Sequence, residues 1–182
     1  MNKEFTIFDH ELGAYSKEIE QLKEAYDSEW KHRINDPEFN LTHFTLGISN
    51  RGNMILVGLC SLVEVRLADI AQECEQNSIF KIDDIKGQGI AKLKLFLSRC
   101  GTVDFAHLKY WAEFTNLNRI RNAIVHGYGG IIPVKDTSKL KSSMKKLNME
   151  DALVGGRRIR LNTSHLKNCH QITSKLIDEL RS

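Results

Sequence analysis

Residues Leu46 to Gln76 constrain the fold of this chain more than any other stretch. They contain its longest apolar run, Met54 to Val63, which ends against a carboxylate at Glu64. Ten residues fall well short of the roughly 20 that a membrane-spanning helix needs. Leu59, Leu62, Val63, Leu67 and Ile70 recur at helical spacing and form a wide apolar face. Such a helix must be covered over most of its circumference, which predicts the central member of a helical bundle.

The neighbouring segments carry the same period. Residues 14–35 predict a first helix, with Ile19, Leu22, Tyr26 and Trp30 as its buried stripe and Asp36-Pro37 as its stop. A third helix is expected from about Asp84 to Cys100, with Ile90, Leu93, Phe96 and Leu97 inward and Gly101 ending it. Thr102 or Asp104 is placed to cap a fourth, which runs to about His126 and stops at Gly127. Beyond it, Ile131 to Val134 reads as an extended piece and Lys135 to Met149 as a basic helical segment. Gly155-Gly156 marks a turn before a strand-like alternation at Arg157–Leu161, and Thr163 caps a last helix to Leu180. Neither of the two prolines, Pro37 and Pro133, breaks a periodic stretch. The expected fold is all-α, an up-and-down bundle of four to five helices with a short hairpin-like insertion near the C-terminal third. One domain is expected over residues 1–182, with its core over about 14–130 and a basic extension over about 135–182.

Charge is divided unevenly. Residues 1–134 hold 15 Lys and Arg against 18 Asp and Glu, a balance of −3; residues 135–182 hold 11 against 5, a balance of +6. A basic final third suits a polyanion, because each neutralised phosphate releases condensed counterions. It equally suits an acidic protein surface or plain solvation. The start, Met-Asn-Lys-Glu-Phe-Thr-Ile-Phe-Asp-His, lacks the apolar stretch of a secretory signal, so a cytoplasmic location is expected, without a membrane partner. Cys60, Cys74, Cys100 and Cys169 are scattered and read as reduced, buried thiols. His165 and Cys169 lie four apart, but no further ligands follow at metal-binding spacing. Neither Gly129-Gly130 nor Gly155-Gly156 has the lysine and the strand–turn–helix setting of a phosphate loop. No metal or cofactor is expected.

The chemistry concentrates at the end of the fourth helix, in the segment Arg-Asn-Ala-Ile-Val-His-Gly-Tyr from Arg121 to Tyr128. Tyr110, Phe114, Leu117, Ile120 and Ile124 make the core stripe of that helix, and Arg121 sits at its edge. A guanidinium there has to be paired or aimed into a polar cleft, because an unpaired buried charge is very costly. Asn118, Asn122 and His126 follow at four-residue steps along a second face. Taken alone, Arg121 and His126 are better explained as a helix-end arginine and a C-capping histidine.

The same set also meets the needs of RNA cleavage without a metal. RNA carries its own nucleophile, the 2′-hydroxyl, beside the scissile phosphate. A histidine moves protons near neutral pH, and an arginine fork steadies charge on the phosphate oxygens. One helix supplies only one histidine, whereas in-line transfer is best served by an acid and a base on opposite sides. A symmetric homodimer pairing two such helix ends supplies both.

Arg121-Asn122-x3-His126 resembles the Arg-x4–6-His motif of HEPN domains, in which Asn often follows the Arg. Extended to Tyr128, it is similar to the pattern of HEPN toxins encoded beside a nucleotidyltransferase antitoxin. The likeness is close over eight residues and extends as a layout, with Trp111 upstream, over roughly 45–130. It implies a helical bundle, a dimer joining two motif helices in one cleft, and metal-independent endoribonuclease activity. It also implies RNA such as tRNA or mRNA as substrate, cyclic phosphate ends as product, and a bacterial toxin–antitoxin or antiphage setting. By that likeness His126 is the catalytic histidine, Arg121 binds and positions the phosphate, and Asn122 supports it. Tyr128 matches the tyrosine whose adenylylation silences the toxin. A non-catalytic module of the same type, binding RNA, nucleotide or protein, is the alternative.

Two further groups bear on that reading. Glu64 interrupts the most apolar helix beside the small residues Cys60, Ala68 and Ala71. Its carboxylate needs a cation, either Arg121 or a structural partner such as Arg119 or a residue near Arg66. Lys139, Lys141, Lys145, Lys146, Arg157, Arg158 and Arg160 are the expected contacts to an RNA backbone.

Overall fold

The apolar segment ending at Gln76 folds as one helix, α2 (Leu41–Gln76), in the computed structural model, which describes residues 3–33, 35–127, 130–133 and 137–181. It begins five residues earlier than the apolar period because Asn40 caps it, its side chain accepting the His43 amide at 3.0 Å. Leu56, Leu59, Val63 and Leu67 are fully buried. Around α2 pack α1 (Lys3–Arg33), α3 (Gly89–Cys100), α4 (Trp111–His126) and α6 (Thr163–Glu179). The basic segment forms α5 (Thr137–Lys146), which packs on α4. The fold is all-α, with six helices among the described residues; α5 is the helix expected of the basic segment, and counting it brings the total above the expected four or five.

The first helix reaches back to Lys3, eleven residues before its expected start, because Phe8 and Leu12 continue the buried stripe of Ile19 and Leu22. Gly13 lies inside it, exposed, with open space around the position of an added Cβ. Tyr26 and Trp30 do not complete the stripe. They are 38% and 36% exposed, and their rings stack on one another at 6.1 Å, with Phe44 on Tyr26 at 5.7 Å, instead of entering the core.

Local bonding also moves the starts of α3 and α4. Gly87 (φ 115°) and Gly89 (φ 58°) hold the chain in left-handed conformations, so Ile82–Asp84 forms only a 3-10 turn and α3 starts at Gly89. Asp104 bonds the Ala106 amide at 3.0 Å and the His107 ring at 2.7 Å, which closes a local turn instead of capping a helix. The N-terminus of α4 is capped from a distance: Glu179, at the end of α6, accepts the amides of Lys109 (3.2 Å) and Tyr110 (3.3 Å). For α6 the cap is Asn162 and not Thr163, its side chain accepting the His165 amide at 2.8 Å.

Between α5 and α6, β1 (Leu153–Val154) and β2 (Arg158–Ile159) pair antiparallel, with Leu153 opposite Ile159 and Val154 opposite Arg158. Gly155 (φ 58°) and Gly156 (φ 70°) make the turn that this register requires. The chain leaving α4 lies against β2: Ile132 donates to the Arg157 carbonyl (2.8 Å) and Ile159 to that of Gly130 (2.9 Å). Ser49 and Asn53 of α2 in turn donate to the Ile159 carbonyl. The hairpin therefore fastens the end of α4 to the middle of the bundle. No helix among the described residues is long and apolar enough to cross a membrane.

The thiols divide into two kinds. Cys60 and Cys169 are buried as expected, whereas Cys74 and Cys100 are only half-buried. These last two come together at the ends of α2 and α3, where Cys74 meets the Thr102 hydroxyl at 2.9 Å and Cys100 that of Ser78 at 3.4 Å. Sequence separation concealed that pairing.

Candidate functional site

Phe114, Leu117, Ile120 and Ile124 are buried and fix one face of α4 against the core. Arg121 emerges at the edge of that face, opposite Glu64 of α2, with side chains 24% and 34% exposed. Its Nη1 donates to the Asn122 side-chain oxygen at 2.9 Å, and its Nη2 stands 4.0 Å from Glu64 Oε2. Of the competing cations, Arg119 reaches Asn116 at 3.5 Å, and Arg66 itself donates to the Leu180 carbonyl at 3.0 Å. At this separation and exposure the Arg121–Glu64 contact contributes at most about 1 kcal/mol. It orients the guanidinium more than it stabilises the fold.

Most of the five N–H donors of the guanidinium are uncommitted among the described residues, and Nε is buried without a hydrogen-bond partner. The wall beside Glu64 is shaped by a residue that sequence reasoning did not single out. A Cβ at Gly89 would lie 3.1 Å from Glu64 Oε1, so a larger first residue of α3 has to push that carboxylate aside by a few tenths of an ångström. Beneath the pair lies Cys60, in the field of both charges; burial pushes its thiol pKa well up.

His126 is the last residue of α4 and is exposed. No hydrogen bond or ion pair with another described residue engages its ring. The reason the chain turns away here is spatial and not conformational. Gly127 has φ −105°, outside the left-handed region. A Cβ on it would lie 2.4 Å from the Ala123 carbonyl oxygen and 2.9 Å from that of Ile131. The Gly127 carbonyl accepts the amides of Gly130 (3.1 Å) and Ile131 (2.7 Å), folding the chain back beneath the helix end.

One chain thus assembles Arg121, Asn122 and Glu64 but does not bring His126 to them. Five residues of helix separate Arg121 and His126 by about 140° of rotation and roughly 7.5 Å of rise. Asn122 links the two sets, bonding Arg121 while sharing the i, i+4 face of His126. Tyr128 lies outside the described residues. No protein-family model matches the chain, and the searches of curated proteins and of solved structures found no match. Among the described residues no group of three His, Cys, Asp or Glu side chains is arranged to hold a metal ion.

The expected basic contacts do not form one stripe. Leu140, Ser143 and Met144 bury one face of α5, and the four lysines are exposed. At helical spacing Lys139 and Lys146 lie on one flank of that face and Lys141 and Lys145 on the other. The hairpin arginines diverge: Arg157 Nε donates to the Ile132 carbonyl at 3.1 Å, and Arg158 Nη2 to the Asn50 side chain at 3.0 Å. Arg160 is among the residues lining a cavity between α1, α2 and the start of α6. Alternation along the chain entering β2 separates Arg157 from its neighbour Arg158, and Arg160 lies beyond the end of that strand.

Proposed function

We propose that this protein is a metal-independent endoribonuclease of the HEPN type, acting as a homodimer in a bacterial toxin–antitoxin or antiphage role. The observation that carries the reading is the state of Arg121. Asn122 and Glu64 hold it in place, yet it remains a quarter exposed with donors unspent. A phosphate is the natural acceptor for such a fork.

In the proposed reaction His126 takes the proton of the 2′-hydroxyl as that oxygen attacks phosphorus. Arg121 donates to the phosphate oxygens as charge builds on them. A second histidine, His126 of another copy, protonates the departing 5′-oxygen, and the products carry a 2′,3′-cyclic phosphate and a 5′-hydroxyl. The 140° divergence of Arg121 and His126 favours this division of labour between two copies. One flank of the α5 lysines, on the helix packed against α4, extends the site along the RNA backbone. A nucleotidyltransferase antitoxin acting on Tyr128 belongs to the same proposal.

The same divergence favours a second reading, an RNA-binding module without catalysis. The two separate on incubation with tRNA or total RNA in EDTA, beside Arg121→Ala and His126→Ala. Cleavage by wild type and its loss in both folded variants supports the enzyme. RNA binding with three equally inert proteins supports the module.

A further inference from the structure

The ends of α2 and α3 bring two thiols together through a crosswise pair of contacts. Cys74 meets the hydroxyl of Thr102, just beyond Cys100 in the chain, at 2.9 Å. Cys100 meets the hydroxyl of Ser78, just beyond Cys74, at 3.4 Å. Each sulfur therefore faces the segment that carries the other. Local backbone bonds hold both hydroxyls in place. Gly101 (φ 69°) ends α3 in a left-handed cap, and the Thr102 amide donates to the Leu97 carbonyl at 3.2 Å. Ser78 Oγ accepts the Phe80 amide at 3.0 Å as the chain leaves α2. The thiols are close enough for Cys100 to engage Cys74 in a side-chain hydrogen bond.

The two helices are in register for this meeting. Gly89, the first residue of α3, lies against Glu64, and Cys100, the last, against Cys74. The rise from Gly89 to Cys100 is about 16 Å and that from Glu64 to Cys74 about 15 Å. So α3 runs beside α2 in the same direction, and a bond between the two thiols needs no sliding of one helix along the other. Cys60 and Cys169 also lie in one another's field, but both are fully buried in the core, out of reach of a soluble oxidant. Cys74 and Cys100 are only half-buried.

We infer that Cys74 and Cys100 form a redox-modification site, closing to an intramolecular disulfide by exchange with a small disulfide of the glutathione type. One protein thiolate attacks the external disulfide, forming a mixed disulfide and releasing one thiol. The other protein thiolate then attacks the protein sulfur of that mixed disulfide and releases the second. The protein thiols lose two electrons, the external disulfide gains them, and the two protons end on the released thiols. Burial and the neighbouring Cys100 hold the Cys74 thiol above its ordinary pKa, against the Thr102 hydroxyl, so the exchange is slow at neutral pH. The site does not depend on the protein cleaving RNA.

The test is overnight incubation of the folded protein with excess glutathione disulfide, then alkylation of the remaining thiols in denaturant and peptide mass mapping. The expected result is a Cys74–Cys100 cross-link within one chain, alkylated Cys60 and Cys169, and full reversal by dithiothreitol. The bond closes residues 75–99 into a loop, so the oxidised protein melts roughly 5–15 °C above the reduced one. Cys74→Ser and Cys100→Ser each stop at one glutathione adduct on the remaining half-buried thiol, with no such rise in Tm. Four alkylated thiols in the wild type, glutathione held on Cys74 or Cys100 without a cross-link, a cross-link that involves Cys60 or Cys169, or an oxidised protein melting at or below the reduced one overturns the inference.

Discussion

Gly127→Ala asks whether the end of α4 is set by close packing, as the geometry requires. The new Cβ would sit 2.4 Å from the Ala123 carbonyl oxygen, 2.9 Å from that of Ile131 and 3.2 Å from Ile132 Cδ1. The first two are backbone atoms, so no side-chain rotation relieves the clash. Overpacking of this kind costs about 1–3 kcal/mol, and the upper end is expected where the backbone itself must move. For a chain of this size about 3 kcal/mol lowers Tm by roughly 6–12 °C. Gly47→Ala is the matched control: it lies in α2, is exposed, and has nothing within 4 Å of the added Cβ. Alanine there stabilises by about 0.5–1 kcal/mol through helix propensity alone. Thermal melts followed by circular dichroism should move in opposite directions for the two variants. A Gly127→Ala protein melting within about 2 °C of wild type would refute the packing account of the helix end.

Several other outcomes are open to direct measurement. Under native conditions Cys74 and Cys100 should react with a thiol reagent, whereas Cys60 and Cys169 should react only after unfolding. Burial raises both buried thiols, Cys169 to about 12, so the folded state holds their protons more tightly than the unfolded chain. The stability they contribute is complete below the unfolded thiol pKa and is lost as pH rises from about 9 towards 12, at about 1.4 kcal/mol per pH unit for each thiol. Denaturant melts across that range should flatten in a Cys60→Ala, Cys169→Ala double variant. His165 is buried, accepts the Asn162 amide at Nδ1 (3.2 Å) and meets Asp151 at Nε2 (2.9 Å). His165→Ala should cost about 2–3 kcal/mol in a urea melt, because it removes packing and leaves partners unpaired. Light scattering at micromolar concentration should give twice the chain mass; a strict monomer contradicts the two-copy site.

Much of the bundle was legible because its core obeys one period. Leu59, Val63 and Leu67 on α2, and Phe114, Leu117 and Ile120 on α4, could be assigned inward from spacing alone, and all are buried. What was not legible depends on partners remote in sequence. Glu179 caps α4 from about seventy residues away, and no local signal near Trp111 reports it. Asp104 looked like a helix cap because its side chain does bond nearby amides, but it closes a turn. Tyr26 and Trp30 continued the apolar period of α1 while their rings found only each other and Phe44. At the site, the Arg121–Glu64 approach was among the alternatives that sequence left open, and geometry selects it. The separation of Arg157, on the Ile132 carbonyl, from Arg158, on the Asn50 side chain, was hidden, since those partners lie 25 and 108 residues away in the chain.

The central proposal is cleavage through the RNA's own 2′-hydroxyl at Arg121 and His126. Its most direct test compares one RNA with the same sequence methylated at every 2′-oxygen, in EDTA, with binding and cleavage followed together. The expected result is comparable binding of both, cutting of the unmodified RNA alone to 2′,3′-cyclic phosphate ends, and a rate at least about 100-fold lower in His126→Ala. Cutting of the methylated RNA at a similar rate, or an unmodified RNA that is bound by the folded protein and left intact, would contradict it.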